Sequence, residues 1–340
     1  MGLRQYLLKR IIIAIILFIA VLIFNFFIFR LPVFVLGMDP ASLYITPEMD
    51  VDDVERIRML YQLPPENATW YDWWLHFVSY LQNMLTGNFG NSFVTFRPVV
   101  MEIMERLPNT LLLMGTSMIF AVILGIVTGI IAASRHGGVL DTSLITASLT
   151  LYSLPVFWMG MIFLLVFAIL PQMIWGISLF PLGHTVSAPG TVPNDPISYA
   201  LDVAWHLFLP TMVLTLGFFG GYMLLMRNTL VDVLTEDYIL TARAKGLEER
   251  TVLYKHGVRN AFLPLISIVA INFAFIISGA VLTETVFAWH GIGRLLYRSL
   301  LSNDWPVAQA IFWMIALTVI IANILADLLY GVLDPRVRYG

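Results

Sequence analysis

Apolar residues gather in six long runs along the chain, separated by segments rich in charge, Pro and Gly. The runs are Ile11–Phe29, Thr110–Ala133, Leu144–Leu170, Leu207–Met226, Phe262–Thr283 and Val307–Tyr330. A hydrocarbon core of about 30 Å takes roughly 20 helical residues to cross, so each run is long enough to span. Together they hold one formal charge, Asp327, near the end of the sixth. The pattern predicts an all-α integral membrane protein with six transmembrane helices. Arg4, Lys9 and Arg10 precede the first run as they would in a signal peptide. Its apolar stretch is too long for an h-region and no A-x-A-like site follows, so it is read as a retained helix.

Composition agrees with that reading. Of 340 residues, 59% are hydrophobic and only 12% charged, against roughly 25% charged in an ordinary soluble domain. The mean hydropathy is +0.83. A soluble enzyme and a disordered tail are excluded, because the polar coat that water demands is missing. Zero Cys removes disulfides, thiolate metal sites and Cys nucleophiles. Lys and Arg set orientation: residues 171–206 hold none, whereas residues 227–261 hold six. That bias places both termini in the cytoplasm. The long outer segment 31–109 then carries an acidic stretch (Asp50, Asp52, Asp53, Glu55) and an aromatic cluster (Trp70, Tyr71, Trp73, Trp74). Such a cluster suits a helix at the membrane interface. The Pro-rich segment 171–206 should hold little helix, and no internal repeat is visible.

The catalytic templates come up empty. There is no H-E-x-x-H, no G-x-S-x-G and no pair of His at ligand spacing. There is also no G-x-x-x-x-G-K-[ST], so the chain has no P-loop of its own. It is read as a non-enzymatic subunit with no catalytic residue, metal or cofactor, and with no nucleic-acid partner. The stretch Gly87-Asn88-Phe89-Gly90-Asn91-Ser92 lacks the phosphate-binding Lys and reads as a turn entering a docking loop. Gly125-x-x-x-Gly129 and Gly217-x-x-x-Gly221 permit close helix approach. Pro155 and Pro210 should kink or offset their helices. Glu284 and Asp327 are the carboxylates nearest hydrocarbon, which makes them functional candidates by default.

The informative segment is cytoplasmic. Thr235 to Gly246 reads as a short helix with Thr235 as N-cap, Glu236 and Asp237 in its first turn, Lys245 in its last and Gly246 as its stop. A second helix begins near Glu248-Glu249 and runs toward Lys255 and His256. The small, basic run Thr241-Ala242-Arg243-Ala244-Lys245-Gly246 suits either a protein groove or a solvated loop.

At this loop the sequence resembles the membrane subunit of an ABC importer, in the dipeptide/oligopeptide/nickel permease family. The likeness rests on Glu236 to Leu247, His256-Gly257-Val258-Arg259-Asn260-Ala261-Phe262-Leu263-Pro264, Glu284-Thr285-Val286-Phe287 with Gly291-Ile292-Gly293, and Asp327-Leu328-Leu329-Tyr330 with Asp334-Pro335-Arg336. Upstream, Gly87 to Ser92, Arg97-Pro98-Val99, Arg106-Leu107-Pro108-Asn109-Thr110 and Tyr152-Ser153-Leu154-Pro155-Val156-Phe157-Trp158 fit as well. The family's Pro-Gly-Asp-Pro motif stands here as Leu36-Gly37-Met38-Asp39-Pro40, with one extra residue, and Asn25-Phe26-Phe27 is similar to members that carry oligosaccharides. The resemblance implies a type I importer permease, the first of two such subunits. Residues 1–108 would form the first helix plus an extracytoplasmic docking segment. Residues 109–334 would form a five-helix core containing the coupling loop 227–261. Asp237, Tyr238, Thr241, Ala242, Arg243, Ala244, Lys245, Gly246 and Leu247 would seat in a groove of a partner ATPase, while Glu284, Pro155, Phe157 and Trp158 are candidates for the pathway or outer gate. The implied partners are a second homologous permease, two P-loop ATPases carrying ATP and Mg, an extracytoplasmic solute-binding protein and the prokaryotic cytoplasmic membrane. Peptide, oligosaccharide and nickel chelate all remain open as cargo, and a passive channel is the rival function.

Overall fold

The computed structural model describes residues 3–36, 49–60, 68–188, 195–274, 276 and 279–333. Motif residues 37–40 and 334–336 lie outside the described residues. Among the described residues the fold is all-helical, with a single isolated antiparallel bridge between Asn91 and Pro98. The chain divides into two compact units, residues 1–107 with 295–340, and residues 108–294.

The first unit holds α1 (Leu3–Leu36), α2 (Val51–Leu60), α3 (Trp70–Thr86) and α14 (Trp305–Leu333). Along α1 the large apolar side chains are turned outward, Ile12 56%, Ile16 62% and Phe24 65% exposed, which is the distribution expected where the surrounding solvent is lipid. Its inner side packs on α14, and the buried Asn25 donates Nδ2 to the Gln309 carbonyl at 3.1 Å. The helix expected from the aromatic cluster is α3. Thr69 and Asp72 form a capping box at its start, and Gly87 closes it in the left-handed region. The turn that follows is fixed by Asp304, which accepts from the Phe93 amide at 2.9 Å and from Ser92 Oγ. Gly87 to Ser92 is therefore a built turn. Asp327 falls within α14, and its side chain lies outside the described residues.

The helix α4 (Val99–Ser134) begins eleven residues before the expected run and continues through Pro108. The second unit adds α5 (Val139–Ser153), α6 (Val156–Leu164), a π-helical turn Leu165–Ile169, and α7 (Leu170–Trp175). The single helix expected over Leu144–Leu170 is thus two: Leu154 is extended at ψ 135° and Pro155 starts the next helix. Proline has no N–H to continue the ladder and its ring pushes the preceding residue out of the helical region. The central element, α8 (Pro196–Leu234), starts eleven residues earlier than expected and passes through Pro210. At 1.5 Å per residue, α4 with 36 residues and α8 with 39 are about 54 and 58 Å long and outreach a ~30 Å core.

Gly125 and Gly129 face α8 so closely that a Cβ would lie 2.5 Å from the Tyr222 Cβ and 2.8 Å from the Met226 Cβ. The first glycine pair is therefore a helix-packing seam. Near the second, Gly217 and Gly220 make the close approaches, to Val156 and to the Ser148 carbonyl, while at Gly221 a Cβ would meet only the Tyr152 ring, at 3.9 Å.

The remaining elements are α9 (Asp237–Ala244), α10 (Glu249–Thr251), a π-helical turn Val252–Val258, α11 (Arg259–Ala274), α12 (Val281–Val286) and α13 (Ile292–Leu301). The expected fifth span appears as α11, which is only 16 residues long. Among the described residues, five helices are long and apolar enough to cross a membrane: Lys9–Phe29, Val99–Ser134, Val156–Trp175, Pro196–Leu234 and Trp305–Leu325.

Candidate functional site

The expected coupling loop is a helical hairpin seated on the end of α8. Ile239 and Ala242 turn inward from α9 and pack with Val252 and Leu234. Gly257 lies against Leu230 and Leu234. The hairpin therefore shares one apolar seam with α8. Thr235 does not cap α9: it ends α8, donating Oγ1 to the Asp232 carbonyl at 2.7 Å, and Glu236 holds the N-cap position without a side-chain bond. The backbone at Thr235 is already helical, so its hydroxyl reaches back into the preceding turn.

Of the nine residues singled out here, eight are exposed: Asp237, Tyr238, Thr241, Arg243, Ala244, Lys245, Gly246 and Leu247. Ala242 is the exception at 5% exposure, so its small size serves packing. Gly246 sits at φ +75° with open space around its Cβ position, the left-handed stop that Gly supplies without strain. Arg243 grips Glu249 in a two-pronged pair, Nη2–Oε1 2.6 Å and Nε–Oε2 3.2 Å, and this hydrogen bonding lowers the Glu249 pKa. Lys245 is exposed. Asn260 donates Nδ2 to the Tyr238 hydroxyl at 3.0 Å, tying α9 to α11.

Ten residues before the hairpin stands a charge clasp that pattern reasoning passed over. Asp141, on the first turn of α5, is buried at 2% exposure. It accepts from Arg227 of α8 twice, Nε–Oδ1 3.1 Å and Nη2–Oδ2 2.7 Å, and from the Gly137 amide at 2.9 Å. These bonds, led by Arg227, hold the carboxyl pKa down to about 2. His136 Nδ1 lies 2.7 Å from Arg227 Nη2; a guanidinium only donates, so this nitrogen accepts. The available signal was one acid in the short 134–143 loop and one Arg directly after the fourth apolar run. Spacing alone does not pair residues 86 apart.

The outer candidates separate. Glu284 is fully buried on α12. Thr110 Oγ1 donates to its Oε1 at 2.9 Å, and the Arg294 amide donates to its Oε2 at 2.9 Å. Thr110 also accepts from the Ile292 amide at 2.7 Å, while Asn109 donates to the His290 carbonyl at 2.9 Å and Trp289 Nε1 donates to the Asn109 carbonyl at 2.9 Å. Glu284 thus organises the turn between α12 and α13. Pro155, Phe157 and Trp158 lie together at the start of α6 and are exposed, while their neighbours Val156 and Met159 face α8.

A cavity of about 490 Å³ opens elsewhere in this unit, lined by Met114, Met118, Tyr152, Tyr222, Asn272 and apolar neighbours. Asn272 Nδ2 donates to the Tyr222 hydroxyl at 2.8 Å, and that hydroxyl reaches Met118 Sδ at 3.0 Å. None of Glu284, Pro155, Phe157 and Trp158 lines it. Among the described residues no group of three or more His, Asp or Glu could hold a metal ion.

Comparison with known proteins places this architecture. Residues 125–339 match the family described as the binding-protein-dependent transport system inner membrane component, and residues 3–114 match the N-terminal region of such membrane components. The chain is 35% identical over 335 residues to an oligopeptide transport system permease of Bacillus subtilis, covering 98% of this chain and 99% of that one. It is 36% identical over 337 residues to a glutathione transport system permease of Escherichia coli K12, with the same coverage. A probable peptide ABC transporter permease of Sinorhizobium fredii is 35% identical over 336 residues, again at 98% and 99% coverage. The chain belongs to the binding-protein-dependent ABC importer permeases, the inner-membrane components of these transport systems.

Proposed function

We propose that this permease forms one half of the translocation pathway for peptides, with six spans, both termini cytoplasmic and a second homologous permease as the other half. Residues 1–108 provide the first span and an extracytoplasmic docking segment for a solute-binding protein, and residues 109–334 provide the core. The hairpin within residues 227–261 engages one of two separate P-loop ATPases, which bring ATP and Mg. The observation that carries this reading is the hairpin: eight outward residues, among them the cations Arg243 and Lys245 and the open left-handed Gly246, on a seam continuous with the longest described helix. A lever of this kind lets a two-state ATPase pair bias a two-state cavity. The clasp at Asp141 and Arg227 makes α5 move with α8 and the hairpin.

Peptide is favoured as cargo by the relatives, which include an oligopeptide permease and a probable peptide permease. Asn25-Phe26-Phe27 adds no support for oligosaccharide, since Asn25 bonds α14 and Phe26 packs against the rings of Phe77 and Tyr80. The test is purification from the native membrane in mild detergent, with mass spectrometry of co-purifying proteins. Two P-loop ATPases and a second six-span permease are expected. Recovery of the chain alone, even after cross-linking, would overturn the reading in favour of a passive channel.

A further inference from the structure

We propose that α3 dips into the bilayer beside α1, so that its outward face contacts lipid and its C-terminal end lies in the hydrocarbon. The geometry lies within one unit. Tyr80 donates its hydroxyl to the Leu22 carbonyl at 3.3 Å, and Phe77 packs on Phe26 with ring centroids 5.0 Å apart. As α3 advances from Phe77 to Tyr80, α1 is met earlier, so the two helices run antiparallel. Leu22 is seven residues inside the Phe29 end of the apolar window, roughly 10 Å below it at the helical rise. The far end agrees: Phe89 stacks edge-on with Trp313 at 5.0 Å, and Trp313 lies eight residues, about 12 Å, into α14 from Trp305.

The uncovered face follows the same axis. Near the N-terminal end it shows Trp70 at 88%, Tyr71 at 68% and Trp74 at 59% exposure; farther along it shows Leu75, Val78 and Leu85, the last at 61%. Amphipathic rings at the headgroup level and aliphatic side chains deeper is the order a bilayer imposes. Ser79, Gln82 and Thr86 are the polar exceptions on this side, and the Thr86 hydroxyl is satisfied within the helix by the Gln82 carbonyl at 2.8 Å. Across residues 70–86 the one formal charge is Asp72, held at the N-terminal end by Thr69. A soluble partner's interface would carry a polar, charged rim; this face continues the bare apolar surface of α1, which already meets lipid. The segment read as docking surface is thus in part membrane-embedded.

The sequence has no Cys, so single-Cys variants need no background removal. Tyr71→Cys, Leu75→Cys, Val78→Cys and Leu85→Cys, with Asp53→Cys as aqueous control, would be spin-labelled in the full chain in lipid nanodiscs. The ratio of oxygen to water-soluble nickel-chelate accessibility should rise in the order 71, 75, 78, 85, and stay low at 53. A ratio equal to that of position 53 throughout would overturn the proposal. So would labels shielded from both reagents, which would mean protein covers the face. Peptide uptake by each variant, measured separately, keeps this result distinct from the transport reading.

Discussion

Glu284 and Gly246 both sit in motifs that the sequence marks strongly, and both lie in the second unit, yet they are held in opposite ways. Glu284 is sealed off, its carboxylate taken up by Thr110 and the Arg294 amide. Gly246 stands in open space at the tip of a hairpin whose charged residues also face outward. Loss of a motif of the first kind strands buried donors. A motif of the second kind costs the isolated chain little to change, so its value lies in what docks there. Motif strength does not separate these cases; burial and partner count do.

Glu284→Leu should break the comparison hardest. Thr110 Oγ1 and the Arg294 amide lose their acceptor, at about 1–3 kcal/mol for each buried donor left unpaired. The expected outcome is a sharply lowered unfolding midpoint in detergent, followed by thermal size-exclusion. An unchanged midpoint would mean the carboxylate serves the pathway and not the turn.

Asp141→Ala comes next, because it leaves Arg227 uncompensated; breaking a buried pair costs about 3–5 kcal/mol, less here since Arg227 keeps partial solvent access. The same pair sets a pH response. The Asp141 pKa is depressed in the folded chain from 3.8 to about 2, so its stabilisation is in full force above pH ~4 and lost as pH falls toward 2. Asp141→Asn should flatten the acid limb of a midpoint-against-pH series between these values, while leaving the neutral region merely lower.

Gly246→Val sharpens the contrast. A β-branched residue at φ +75° costs about 1–2 kcal/mol locally, with no steric clash to add to it. Membrane insertion should be intact and uptake lost; wild-type uptake would remove the docking role. Arg243→Ala should be the mildest in stability, under about 1 kcal/mol, because its pair with Glu249 is exposed. Its uptake should nonetheless fall, and a variant that moves the midpoint but not uptake would invert the comparison.

Much of this was legible in advance. The apolar runs announced helices because lipid imposes one simple demand on every position, and Trp70 to Trp74 announced α3 for the same reason. Gly246 as a stop followed from its local φ requirement. Boundaries fared worse: α4 and α8 extend past their apolar cores because polar residues propagate a helix as readily outside the membrane as apolar ones do within it. Thr235 was misassigned because a Thr ahead of two acids reads as a cap only if the previous helix has already ended.

The sequence by itself determined that this is a helical membrane protein with a charged segment of small residues between its fourth and fifth apolar runs, since composition, apolar run length and glycine conformation act over a few residues. Only the tertiary structure decided which charges are partners. Asp141 meets Arg227 across 86 positions, Glu284 meets Thr110 across 174, and Asp304 holds the turn at Ser92 across 212. Such pairs form because a carboxylate withdrawn from water is stable only where donors converge on it, and that convergence comes from helix packing rather than from spacing along the chain.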